Sequence, residues 1–132
     1  MAFKVVFIAH TPDAEPEKHQ CVIETPKYKL LVRLVKNQEQ AVEVCKKLVR
    51  EEGIHSILLC PGFTHQNIAE ISEAVGKNVG ISVARGDGPS SETAKDIMKR
   101  EGWFSLVNRW KLGRYKGGLK TLSEEKSWNS QS

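Results

Sequence analysis

The sequence predicts a three-layer α/β domain with about four mostly parallel strands. Short apolar runs rich in Val, Ile and Leu recur at 3–9, 28–35, 54–60 and 79–84. Segments with apolar residues at helical spacing separate the later runs, and strands alternating with helices build parallel βαβ units. The chain has 132 residues, 39% hydrophobic and 27% charged, which suits one soluble domain of ordinary size.

The first strand is Phe3 to Ala9, whose nearly unbroken apolar run fits burial on both faces. Thr11 to Pro26 contains Pro12, Pro16 and Pro26 and reads as a long irregular loop with a short helical turn at 14–20. Tyr28 to Val35 is the second strand. Asn37 is a good N-cap, with Gln40 placed to complete a capping box. Ala41, Val42, Cys45, Leu48 and Val49 then share one helix face up to Gly53. Ile54 to Cys60 is the third strand. Pro61-Gly62 turns into a helix with Ile68, Ile71, Ala74 and Val75 inward, ended by Gly76. Val79 to Ala84 is the fourth strand, and the Arg85–Pro89 turn leads to a helix from near Ser90 to Lys99 or Arg100. The expected arrangement is doubly wound, flavodoxin- or Rossmann-like, over residues 1–103.

Charge divides unevenly. Residues 1–103 hold 14 basic and 14 acidic side chains, so the formal charge of +4 belongs to 104–132. A neutral domain argues against nucleic acid as a partner. The basic extension reads as partly disordered, with 104–112 as one more packed element and 123–132 as disordered. No apolar run is long enough to span a membrane, and the N-terminal run is too short for a secretory signal. Three irregularly spaced cysteines, at 21, 45 and 60, fit neither a disulfide scaffold nor a zinc site and suggest a reducing cytoplasm.

In an open parallel sheet, ligands bind beyond the carboxyl ends of the strands. That edge would gather His10, the Cys60–His65 loop and the Arg85–Ser91 loop. Cys60 at a strand-to-helix turn is a candidate nucleophile or acid/base group, with His10 or His65 as partner, or else a small buried side chain. Arg85 can clamp a carboxylate or phosphate, and Gly86, Gly88 and the helix start offer backbone N–H groups beside Asp87, Ser90, Ser91 and Thr64. The same loop also fits a tight turn, with Ser90 or Ser91 capping the helix and Asp87 pairing Arg85. It is neither a Walker loop nor a dinucleotide fingerprint. No metal ligand set is recognisable, and no cofactor is indicated.

The strings Ile23-Glu24-Thr25-Pro26-Lys27-Tyr28, Leu59–His65 and Val83–Pro89 resemble a small bacterial and archaeal family of uncharacterised α/β proteins. The resemblance covers roughly the first four-fifths of the chain. It implies a compact α/β fold of about a hundred residues, ending near Trp103 or Phe104, and brings no activity. A partial similarity links Cys60 and Thr64-His65 to the cysteine loops of aspartate and glutamate racemases. Those enzymes set Cys beside Thr-His and take a second cysteine from another lobe, for which only Cys21 remains.

Three functions follow as expectations. The first is binding of a small anionic metabolite at the sheet edge by Arg85 and the Gly86–Ser91 loop. The second is a cysteine-dependent isomerase, lyase or acyl-transfer enzyme using Cys60. The third is a homo-oligomeric interaction protein, in contact through the 11–26 loop and the aromatic residues Trp110, Tyr115 and Trp128.

Overall fold

The computed structural model describes residues 1–104; the calls on 105–132, including Trp110, Tyr115 and Trp128, lie outside the described residues. The chain separates into two compact units, Met1–Arg85 and a second beginning at Gly86. The first holds β1 (Phe3–His10), β2 (Gln20–Glu24), β3 (Tyr28–Val35), α1 (Gln38–Glu52), β4 (Ser56–Leu59), α2 (His65–Val75) and β5 (Gly80–Val83). The second holds α3 (Gly88–Arg100).

The fold is α/β with a mostly parallel sheet, as expected, but the sheet has five strands in the order β2-β3-β1-β4-β5. The added strand, β2, lies inside the stretch expected to be an irregular loop. Its core, Cys21-Val22-Ile23, is a short apolar run bounded by prolines rather than interrupted by one. It pairs antiparallel with β3, from Gln20 opposite Arg33 to Glu24 opposite Lys29. The Thr25 hydroxyl ties the hairpin by accepting from the N–H groups of Lys27 (3.3 Å) and Tyr28 (3.0 Å). The expected helical turn survives as a short turn in which the Lys18 and His19 N–H groups both donate to the Glu15 carbonyl.

β1 pairs in parallel with β3 and with β4, and β4 with β5. The β3–α1–β4 and β4–α2–β5 crossovers travel the same way across the sheet, so connections of one hand put both helices on one face. Gln38 joins them, its amide donating to the Asn67 carbonyl at 3.1 Å and to Glu70 Oε1 at 2.7 Å. Between these helices and the sheet lies a core of Val6, Ile8, Leu31, Val35, Ile57 and Leu59 against Ala41, Cys45, Leu48 and Ile71. Val44 is also buried there, whereas Ala74, expected inward, is exposed.

Caps set the helix limits. Asn37 Oδ1 accepts from the Gln40 N–H at 2.8 Å, while Gln40 Oε1 reaches past the cap to the Lys36 N–H at 2.9 Å. Gly53 closes α1 in the left-handed region, φ +69. Beyond it, Lys4 Nζ donates to the Glu52 carbonyl and Lys29 pairs with the Glu52 carboxylate, both at 3.0 Å, placing positive charge at the helix's negative end.

The opposite face of the sheet follows from alternation and register. It carries Phe3, Val5, Phe7 and Ala9 of β1, Tyr28, Leu30, Val32 and Leu34 of β3, and Cys21 and Ile23 of β2. Ser56 and Leu58 of β4 and Gly80 and Ser82 of β5 complete it. Val5 on this face is buried, whereas Phe3, Ile23 and Tyr28 are exposed. Helices α1 and α2 form one layer against the sheet; the doubly wound arrangement expected over 1–103 also counts α3, which belongs to the second unit. In the second unit, α3 begins at Gly88 rather than near Ser90, and none of its residues is buried.

Candidate functional site

Parallel pairing brings the carboxyl ends of β1, β3, β4 and β5 to one edge. Past β4, the Cys60 N–H still donates to the Ile8 carbonyl (3.1 Å), so the thiol-bearing residue stays alongside the end of β1. The chain then turns tightly, with the Phe63 N–H returning to the Cys60 carbonyl at 3.4 Å. The turn drives Phe63 into the core, where it is 5% exposed. Its ring stacks on His10, with centroids 4.2 Å apart and planes inclined by 26°.

Gly62 sits at the centre of this arrangement. A Cβ there would lie 3.3 Å from His10 Nδ1 and 3.6 Å from Cys60 Sγ. The imidazole nitrogen and the thiol therefore flank the same small space, which stays open because residue 62 has no side chain. Gly62 has no positive φ, so space rather than backbone freedom is what glycine provides here.

His10 is half-buried, and desolvation lowers its pKa from the ordinary 6.5. At neutral pH it is a neutral imidazole, and neither ring nitrogen has a hydrogen-bond partner among the described residues. Cys60 is a free thiol, partly buried. The other cysteines differ: Cys21 is exposed on β2, and burial pushes the Cys45 thiol up to about 12.

The remaining candidates are placed as follows. Thr64 is the N-cap of α2, its hydroxyl accepting from the Asn67 N–H and its own N–H donating to Asn67 Oδ1, each at 3.1 Å. That hydroxyl is thus engaged in a capping box. His65 opens α2 on the exposed side, and the first turn of that helix has no acidic residue. Arg85 is exposed just past β5, whose end is held to β4 by the Ala84 N–H on the Leu59 carbonyl at 2.7 Å.

The Gly86–Ser91 loop forms a helix cap of its own. Asp87, not Ser90 or Ser91, is the N-cap: Oδ1 accepts from the Ser90 N–H at 2.9 Å and Oδ2 from the Ser90 hydroxyl at 3.2 Å. Asp87 makes no ion pair with Arg85 among the described residues, and Gly88 lies open. The structure thus brings together His10 and Cys60, and adds Gly62 and Phe63, which sequence reasoning passed over. Their signal was an aromatic residue directly after Pro-Gly at a strand end, where a tight turn has to send it inward.

His19 and His55 have structural roles, their Nδ1 atoms accepting from the N–H groups of Glu15 (2.9 Å) and Lys4 (3.0 Å). Among the described residues no three His, Cys, Asp or Glu side chains gather as a metal site requires. Two cavities of the first unit lie elsewhere. One, of about 440 Å³, is at the end of α2 by Ser72 and Lys77; the other, of about 230 Å³, lies between Pro16, Arg33 and Lys47. The space at Gly62 is a notch at the sheet edge, flanked by His10 Nδ1 and Cys60 Sγ.

A mostly parallel α/β sheet with a thiol and a neutral imidazole at its carboxyl edge is the class of protein this fold and site define. The chain belongs to a family of unknown function, DUF6506, whose profile matches residues 3–99. No curated protein matches the chain, and no solved structure does. Among the described residues no helix is long and apolar enough to cross a membrane.

Proposed function

We propose that the notch at Gly62 binds a small anionic metabolite and presents it to Cys60 and His10. The observation that carries this reading is the approach of His10 Nδ1 and Cys60 Sγ to the one side of Gly62 that lacks a Cβ. A neutral imidazole accepts a proton, and a thiol supplies one or, once deprotonated, a nucleophile. The notch adjoins the start of α2, where the helix dipole favours negative charge and no acidic residue offsets it. Arg85, leaving the neighbouring strand at the same edge, supplies the cation for the ligand's carboxylate or phosphate. His65, exposed and outside the His10–Gly62–Cys60 group, is the less favoured partner for the thiol. The Gly86–Ser91 loop is less favoured as the anion cradle, because the Asp87 carboxylate already takes a helix N–H and adds negative charge.

Alkylation of Cys60 tests this in a Cys21→Ser chain, where only Cys45 remains and is buried. Iodoacetate and iodoacetamide differ by one charge. The ratio of their rates at Cys60 should exceed the ratio for glutathione severalfold. Arg85→Gln should lower the ratio, and Gly62→Ala should slow both reagents by filling the notch. A ratio equal to that of glutathione and insensitive to Arg85 would overturn anion binding at this edge.

A further inference from the structure

The cavity beside β3 is built by three parts of the first unit and shares no residue with the notch at Gly62. Arg33 of β3 forms one wall, α1 a second, and Pro16 and Glu17 of the β1–β2 connection a third. The α1 residues, Gln40, Glu43, Val44 and Lys47, recur at i, i+3, i+4 and i+7, so a single helix face meets the cavity. The third wall is held in place. The Lys18 and His19 N–H groups donate to the Glu15 carbonyl, the Glu15 N–H donates to His19 Nδ1, and Glu17 pairs with Lys47 at 3.7 Å.

Two charges on these walls are left over. Lys47 has Glu17, but the Arg33 guanidinium and the Glu43 carboxylate, on different walls, form no hydrogen bond or ion pair among the described residues. Gln40 is half engaged: its Oε1 accepts from the Lys36 N–H at 2.9 Å, and its Nε2 has no acceptor among the described residues. Half-buried Pro16 and buried Val44 add apolar surface.

We infer that this cavity binds a free α-amino acid with an aliphatic side chain. A ligand that is only an anion meets Glu43 and Glu17, and one that is only a cation meets Arg33. A zwitterion satisfies both: its carboxylate takes the forked Arg33 guanidinium and the Gln40 Nε2, and its ammonium takes Glu43. Pro16 and Val44 receive the side chain. The volume of about 230 Å³ is below the roughly 300–1,000 Å³ of pockets for drug-sized molecules and suits a ligand this small. The Glu17–Lys47 pair stays intact, so binding breaks no ion pair of the protein.

Titration of the isotope-labelled full chain with L-leucine, followed by the backbone amide signals of α1, tests the assignment. N-acetyl-leucine lacks the ammonium and leucinamide lacks the carboxylate. Leucine should give saturable shifts at Gln40, Glu43 and Val44, and each derivative should bind about tenfold more weakly. Arg33→Gln should weaken leucine binding by a similar factor. Glu43→Gln, at an exposed helix position, is the second variant; with an unchanged circular dichroism spectrum it should leave leucine no tighter than N-acetyl-leucine. No saturable shift in the millimolar range would overturn the inference, as would equal binding of all three probes. N-acetyl-leucine binding as tightly as leucine to the natural chain would mean a simple anion site and equally overturn it. So would shifts confined to the residues around Cys60, which would put the ligand in the Gly62 notch.

Discussion

His10 and Gly62 meet across a single missing methyl group, the Cβ that would lie 3.3 Å from the imidazole Nδ1. Burial against Phe63 penalises the imidazolium, so folded His10 titrates below the 6.5 of a free imidazole. Between those two values the unfolded chain binds a proton that the folded chain does not. His10 therefore costs no stability above about pH 6.5, and stability falls as the pH drops below it, levelling off once folded His10 also protonates. Urea midpoints of the natural chain and His10→Gln, measured across pH 4–8, should diverge on the acid side, the natural chain losing more. Parallel curves would show that the ring does not resist protonation. His10 and Cys60 were legible in the sequence as residues at strand ends. Gly62 was not singled out, because the reason for a glycine is the atoms that a methyl group would meet, and those come from two different strands.

Caps and breakers carried most of what could be foreseen at the level of elements. Asn37 and Gly53 bracket α1 as expected, because a side-chain oxygen before a helix and a glycine after it solve local problems of unpaired backbone. Asn37→Ala should cost about 1 kcal/mol, read as a lower denaturation midpoint with unchanged slope. No change would mean that the Lys36–Gln40 bond suffices to start the helix. Asp87 and Thr64 were harder. The same oxygen that accepts from a ligand accepts from a backbone N–H, and sequence alone does not say which donor is nearer. β2 was hidden by its prolines, which flank the strand, and by its place at the sheet edge. Edge strands are short and need no unbroken apolar run, since only one side is hydrogen-bonded and much of the rest meets water.

At the scale of the whole molecule, the hydrophobic core from Val6 to Ile71 lies within Met1–Arg85. A chain ending at Arg85 should therefore unfold in one cooperative thermal transition, followed by circular dichroism, with most of the natural chain's midpoint retained. Loss of cooperativity would show that residues after Arg85 complete the core. The fold class was legible because buried parallel strands leave long apolar runs, as in Val5-Val6-Phe7-Ile8.

The hairpin gives β1 an unusual place in the order of assembly. Parallel neighbours need a connection across the sheet, and here the connection from β1 to β3 is made by β2 running backwards. During synthesis β1 leaves the ribosome before either of its partners, and Val5 to Ile8 must stay unpaired until β3 and then β4 follow. β2 and β3 find each other locally, on the microsecond timescale of hairpins, so the ladder beside β1 is preassembled when β1 docks. Until then the most apolar segment of the chain is its most exposed one, and rapid closure around Thr25 shortens the time in which it can aggregate.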